Sequence, residues 1–208
     1  MINHFPNFVC WKEIFRVYDK QRDVIYLDSI SCFGLGLMLG VKGKYVPGPQ
    51  MAHALAKDSY ENCYFLLAED IQSIPKNRKI TLPFKTNFDG DIHVLNFLNS
   101  IPNNGLVILG ISSPKQNLFA NYLYSVRPDL DYFCFGAAVK QTWGLNANTR
   151  LRGSGFQWLE FLYFQPRRTI GKMARTIVEF FTILVSPSRI KLFRKFVQIT
   201  KSKNQIER

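Results

Sequence analysis

The chain has 208 residues, 47% of them hydrophobic, and a formal net charge of +12. That length and apolar content exclude a largely disordered chain and suit one large domain or a domain with an appendage. The charge is uneven: residues 150 to 208 carry 13 Lys/Arg against 3 Asp/Glu, whereas residues 1 to 149 carry 14 against 12, so an anionic partner is expected at the C-terminal segment.

In chain order, apolar periodicity predicts a helix over 8–18, a strand over 24–27, a helix over 30–39 and a helix over 50–59. A strand follows over 64–68, a weaker one near 79–82, then a helix over 92–98, a strand over 106–109, a helix over 114–126 and a strand over 132–135. In the 114–126 helix, Leu118, Phe119, Tyr122, Leu123 and Val126 fall on one face at spacings of three and four. Strands alternating with helices imply an α/β fold, a Rossmann-like parallel sheet flanked by helices, with ligands beyond the carboxyl ends of the strands. After about Leu145 the rhythm gives way to helical, basic sequence interrupted by Pro166 and Pro187. The expected division is a core over 1–145 and a basic helical appendage over 146–208.

Cys10, Cys32, Cys63 and Cys134 are far apart and form no CxxC pair, which suggests neither a zinc site nor a disulfide framework but reduced core residues in a cytosolic protein. The start "MINHFPNFVCWKE" lacks the basic beginning and apolar run of a signal peptide. The apolar stretch "IVEFFTILV" contains Glu179 and is far shorter than the roughly 20 residues that span a bilayer.

The stretch "GISSPKQN", residues 110 to 117, joins an apolar strand to a helix. Ser112 and Ser113 suit an N-cap, Pro114 suits the first helical turn, and Gly110 permits close approach of backbone to ligand. Free N–H groups and the positive end of a helix dipole at such a turn commonly hold phosphate, and Lys115 and Gln116 add a charge and an amide. Asp28 ends the run "VIYL"; it is either the N-cap of the next helix or a general base at the sheet edge. Gly34, Gly36 and Gly40 have GxGxxxG spacing inside a helix, which fits close packing better than a dinucleotide site. Asp89-Gly90-Asp91 looks like a metal-binding DxD but follows no buried strand, so a turn and an N-cap account for it. His4, His53 and His93 have no ligand spacing, and no GxSxG appears.

In the appendage, "GFQWLEFLYFQPRR" is aromatic and ends in Pro166-Arg167-Arg168, and "RIKLFRKFVQITK" reads as a basic amphipathic helix. Its apolar face is Leu192, Phe193, Phe196 and Val197, with Lys191, Arg194, Lys195, Gln198 and Lys201 opposite. Either it packs on the core with solvated charges, or it binds an anionic membrane surface. Nucleic acid ranks third, because no recognised nucleic-acid module is present.

Taken together, "LGISSPKQN", "GFQWLEFLYFQPRR", "YLDSISCFGLGLMLG" and "YVPGPQMAHAL" resemble motifs of the WecG/TagA/CpsF family of bacterial glycosyltransferases, in order and spacing across nearly the whole chain. The resemblance implies inverting transfer of a sugar, of N-acetylmannosamine type or another hexose, from a UDP-sugar to a polyprenyl-diphosphate-linked acceptor, in surface polysaccharide synthesis on the cytoplasmic face of the membrane. It makes Asp28 the base that takes the acceptor proton. Gly110, Ser112, Ser113, Pro114, Lys115 and Gln116 become the nucleotide turn, where a helix dipole favours charge growing on the departing UDP.

By the same resemblance Gly136, Gly48 and Asn3 lie near the donor, and Arg167 and Arg168 neutralise diphosphate. No metal or other cofactor is required. Asn117 stands where the family has Glu, Ser29 where it has Gly, Gln157 where it has Glu, and Asn146-Ala147-Asn148 where Arg-Ala-Pro is common. The family usually carries a further strand and helix before the segment equivalent to "INHF". The competing expectation is a noncatalytic relative that binds nucleotide, lipid-linked sugar or a partner enzyme. Whether the chain forms a homo-oligomer is left open.

Overall fold

The computed structural model describes residues 1–5, 8–28, 30–41, 45–82, 90–144, 163 and 166–200. The chain forms two compact units: residues 1–5, 17–24 and 48–147, and residues 6–16, 25–47 and 148–208. The last change of unit falls between residues 147 and 148. The earlier ones return two N-terminal segments to the second unit.

Six parallel strands flanked by helices make a Rossmann-like α/β architecture. The strands are β1 (Ile2–His4), β2 (Asp23–Ile25), β3 (Cys63–Leu67), β4 (Lys79–Thr81), β5 (Leu106–Gly110) and β6 (Asp131–Cys134), in the order β2-β1-β6-β5-β3-β4. Register pairs Leu67 with Gly110 and Ile108 with Phe133. Parallel strands require covered faces, and β5 shows how this sequence meets that demand. Val107 and Leu109 join a core with Leu66, Tyr132, Val94, Leu98, Phe119 and Leu123, while Ile108, pointing the other way, is equally buried. On β3, Phe65 meets Trp143 edge to face at 5.0 Å. The expected strands are all present within a residue or two. β1 was not anticipated, because three residues that include Asn3 and His4 carry no strand periodicity.

The first unit's helices are α3 (Gly48–Asp58), α4 (Ile92–Asn99), α5 (Lys115–Val126) and α6 (Ala137–Trp143). The buried face of α5 differs from the expected one: Leu118 and Val126 are exposed, and Gln116, Asn117, Phe119, Ala120 and Leu123 are buried. Two polar residues displace two apolar ones because each amide nitrogen finds a partner inside.

The second unit gathers a 3₁₀ turn (Phe8–Cys10) and the helices α1 (Trp11–Val17), α2 (Ile30–Met38), α7 (Pro166–Leu184) and α8 (Pro187–Ile199). Trp11 lies 5.2 Å from Phe193 and 5.5 Å from Phe196, and Phe8 lies 6.1 Å from Phe193. Trp11 Nε1 donates to Glu179, whose carboxylate also pairs with Lys12 at 2.7 Å. The apolar face of α8 is therefore filled: Phe193, Phe196 and Val197 are buried and only Leu192 is exposed. Of the helix-packing glycines expected in α2, Gly36 faces Val197 so closely that a Cβ would lie 3.3 Å from it, whereas Gly34 has open space. No described helix is long and apolar enough to cross a membrane.

Candidate functional site

β5 and β6 are neighbours, and their carboxyl ends carry the turn 111–114 and Gly136. The Ser113–Pro114 peptide is cis. Pro114 takes the N-cap position of α5 and no side chain caps it, which corrects the expectation of a serine cap. Ser113 Oγ donates instead to Asn117 Oδ1 at 2.9 Å. Backbone N–H groups of the turn are also engaged: Gln116 donates to Ser112 O at 3.4 Å, Asn117 to Pro114 O at 3.0 Å and Leu118 to Pro114 O at 3.3 Å. The free N–H groups expected for phosphate are thus spent at these three positions. The dipole of a twelve-residue helix still favours an anion here, and Lys115 is exposed in its first turn.

Four residues expected near a ligand serve the sheet. Gln116 is 1% exposed and its Nε2 donates to Cys134 O at 3.0 Å. Asn3 is buried and its Nδ2 donates to Tyr132 O at 3.3 Å. A Cβ on Gly110 would lie 2.8 Å from Leu67 and 3.3 Å from Val139, so packing, independently of any ligand, favours glycine there. Gly136 has φ +56° and ψ −125°, a conformation essentially confined to glycine, and its N–H donates to Leu109 O. Gly48 is the buried first residue of α3.

A buried polar chain runs through β2, β1 and α5. Asp23 Oδ2 lies 3.3 Å from His4 Nε2, and neither side chain is exposed. Asn117 Nδ2 and His4 Nδ1 are 2.8 Å apart, and Asn117 passes the connection to Ser113. Asp23 also accepts from Arg22 at 2.5 and 2.8 Å and from the N–H of Asp19 at 3.0 Å. Burial pushes the Asp23 carboxyl up, but the hydrogen bonds from Arg22, His4 and Asp19 outweigh it and hold it at about 2. Sequence reasoning singled out Asn117 and missed His4 and Asp23, since partners more than a hundred residues apart leave no spacing to read.

In the second unit, Asp28 is half-buried, two residues before α2, and its N–H donates to Tyr26 O. The strand-like segment ahead of it continues through a parallel bridge between Leu27 and Tyr45. Burial, and then the Asp28 charge, raise the Tyr45 hydroxyl, so a carboxylate and a phenol share this edge. Arg167 is exposed in the first turn of α7. Arg168 follows it in that turn; its side chain lies outside the described residues, as do Ser29, Asp89, Gln157 and 146–148. Asp91 caps α4, accepting from the N–H groups of His93 and Val94. Among the described residues no three His, Cys, Asp or Glu side chains cluster as metal ligands.

Comparison with family models, curated proteins and solved structures returns no match.

Proposed function

We propose that this chain is an inverting glycosyltransferase that moves a hexose, of N-acetylmannosamine type or another, from a UDP-sugar to a polyprenyl-diphosphate-linked acceptor. The observation that carries the reading is the parallel sheet whose adjacent β5 and β6 end at the Ser112–Gln116 turn and at Gly136, the edge at which such sheets take nucleotides. In the proposed reaction Asp28 takes the proton of the acceptor hydroxyl as its oxygen bonds to the anomeric carbon from the face opposite UDP. The bond from that carbon to UDP breaks with its electrons going to the diphosphate. Lys115 and the α5 dipole favour the charge gathering on the leaving group.

Two features of α7 support an anionic, lipid-linked acceptor at a cytoplasmic-face membrane. Its first turn carries Arg167 and Arg168 and no acid. Cations at a helix N-terminus oppose the dipole by about 0.3–1 kcal/mol each, a cost that an anion removes. Along the helix Ile177 and Phe181 are 54% and 60% exposed, with Ile170 and Val178 beside them and Val185, 78% exposed, just past its end. This stripe suits lipid contact, and it replaces α8, whose apolar face is already filled.

One observation favours a noncatalytic relative: the amide N–H groups of Asn3 and Gln116 bond to carbonyls of β6. Turnover separates the readings. Thermal shift against a panel of UDP-sugars should identify a stabilising donor, and UDP release should then require a lipid-linked acceptor and fall at least a hundredfold in Asp28→Asn. Release from no UDP-sugar, or an unchanged rate in that variant, removes the catalytic assignment.

A further inference from the structure

The buried chain from Asp23 to Ser113 has a direction, and the direction decides what the turn can bind. The Asp23 carboxylate is ionised and can only accept. His4 Nε2 lies 3.3 Å from it, within charge-pairing distance though outside hydrogen-bond geometry, and the imidazole proton belongs there because a lone pair would face an anion. In the neutral ring His4 Nδ1 is then an acceptor, which makes the group 2.8 Å away the amide Nδ2–H of Asn117. That sets Asn117 Oδ1 toward Ser113, whose hydroxyl proton it accepts at 2.9 Å. A hydroxyl has one proton and two acceptor lone pairs. With its proton committed, Ser113 Oγ offers only lone pairs.

We propose that Asp23, His4 and Asn117 are positioning residues that lock Ser113, half-buried at the carboxyl edge of the sheet, as a hydrogen-bond acceptor. The turn thereby selects a ligand hydroxyl or N–H over a phosphate oxygen. This rests on the UDP-sugar reading and deepens it: Ser113 meets a sugar hydroxyl, and the diphosphate lies toward Lys115 in the same turn. A carboxylate, an imidazole and an amide are costly to bury. Apolar side chains would fill the same space with less desolvation, and a locked donor–acceptor direction is what they could not supply.

Two measurements test it on the full chain. Long-range ¹H–¹⁵N correlation of the His4 imidazole should show the neutral Nε2–H form; a proton on Nδ1, in the neutral ring or in the imidazolium, overturns the proposal. Affinities are then compared for UDP-N-acetylglucosamine and its 3-, 4- and 6-deoxy and deoxyfluoro analogues, fluorine being able only to accept. At one position the fluoro analogue should bind about tenfold more weakly than the parent and no better than the deoxy analogue, and Ser113→Ala should erase the difference.

Asn117→Leu cannot take the serine proton and should make the fluoro analogue bind better than the deoxy. Asp23→Asn, which keeps the shape, should shift the same ratio if Asn117→Leu fails to fold. A fluoro analogue that outbinds the deoxy in the unmodified chain, or a Ser113→Ala variant with unchanged analogue affinities, overturns the proposal. If no UDP-sugar binds, the glycosyltransferase reading fails, and the His4 tautomer alone decides the direction of the chain.

Discussion

Asn117 donates to His4 Nδ1 at 2.8 Å, joining two residues 113 positions apart in the sequence. The bond ties α5 to β1 in the interior of the sheet, and through His4 it reaches the Asp23 carboxylate. The same carboxylate is held by the Arg22 guanidinium.

Acid should destabilise the fold through Asp23. Its carboxyl titrates at about 2 in the folded chain against 3.8 ordinarily, so its stabilising contribution is complete above pH 4 and is lost as pH falls through 2. The span corresponds to about 2 kcal/mol. Urea denaturation midpoints between pH 5 and 2 should fall, and Asp23→Asn should start lower and flatten the dependence.

Glycine substitutions should divide by backbone and space. Gly136→Ala places a Cβ at φ +56°, 3.3 Å from Ile111 O, and should lose about 1–3 kcal/mol. Gly34→Ala lies within α2 with nothing within 4 Å and should gain about 0.5–1 kcal/mol. Thermal melts of the two variants check both signs.

The aromatic core of the second unit should respond as a core. Phe196→Ala removes a fully buried ring from Trp11 and Phe193 and should cost about 3–5 kcal/mol, read as lost tryptophan fluorescence cooperativity in denaturant. Removing residues 187–208 would uncover the same core, so truncation cannot isolate a membrane role for α8.

Membrane association should depend on α7. Ile177→Glu with Phe181→Glu should cut recovery with anionic liposomes about tenfold while leaving the melting temperature unchanged, because both side chains are exposed. Leu192→Glu on α8 should have little effect. Equal flotation of all three proteins would remove the stripe's role.

The α/β class and nearly every strand and helix were legible because they are local: Leu106–Gly110 and Lys115–Val126 announce themselves by apolar run and period. The turn after β5 and the cap at Asp91 were legible for the same reason. Where local apolarity misled, a long-range partner was responsible. Gln116 and Asn117 are buried in place of Leu118 and Val126 because Cys134 O and His4 take up their amide N–H groups.

The sequence by itself determined the parallel sheet, the glycine and serine chemistry at the end of β5 and the basic C-terminal segment. Tertiary structure alone decided that β1 enters the sheet and that α8 hides its apolar face while α7 exposes one. It also decided that Ser113 spends its proton on Asn117. Periodicity reports a residue's neighbours along the chain, whereas hydrogen-bond direction and burial depend on which distant atoms arrive to complete them.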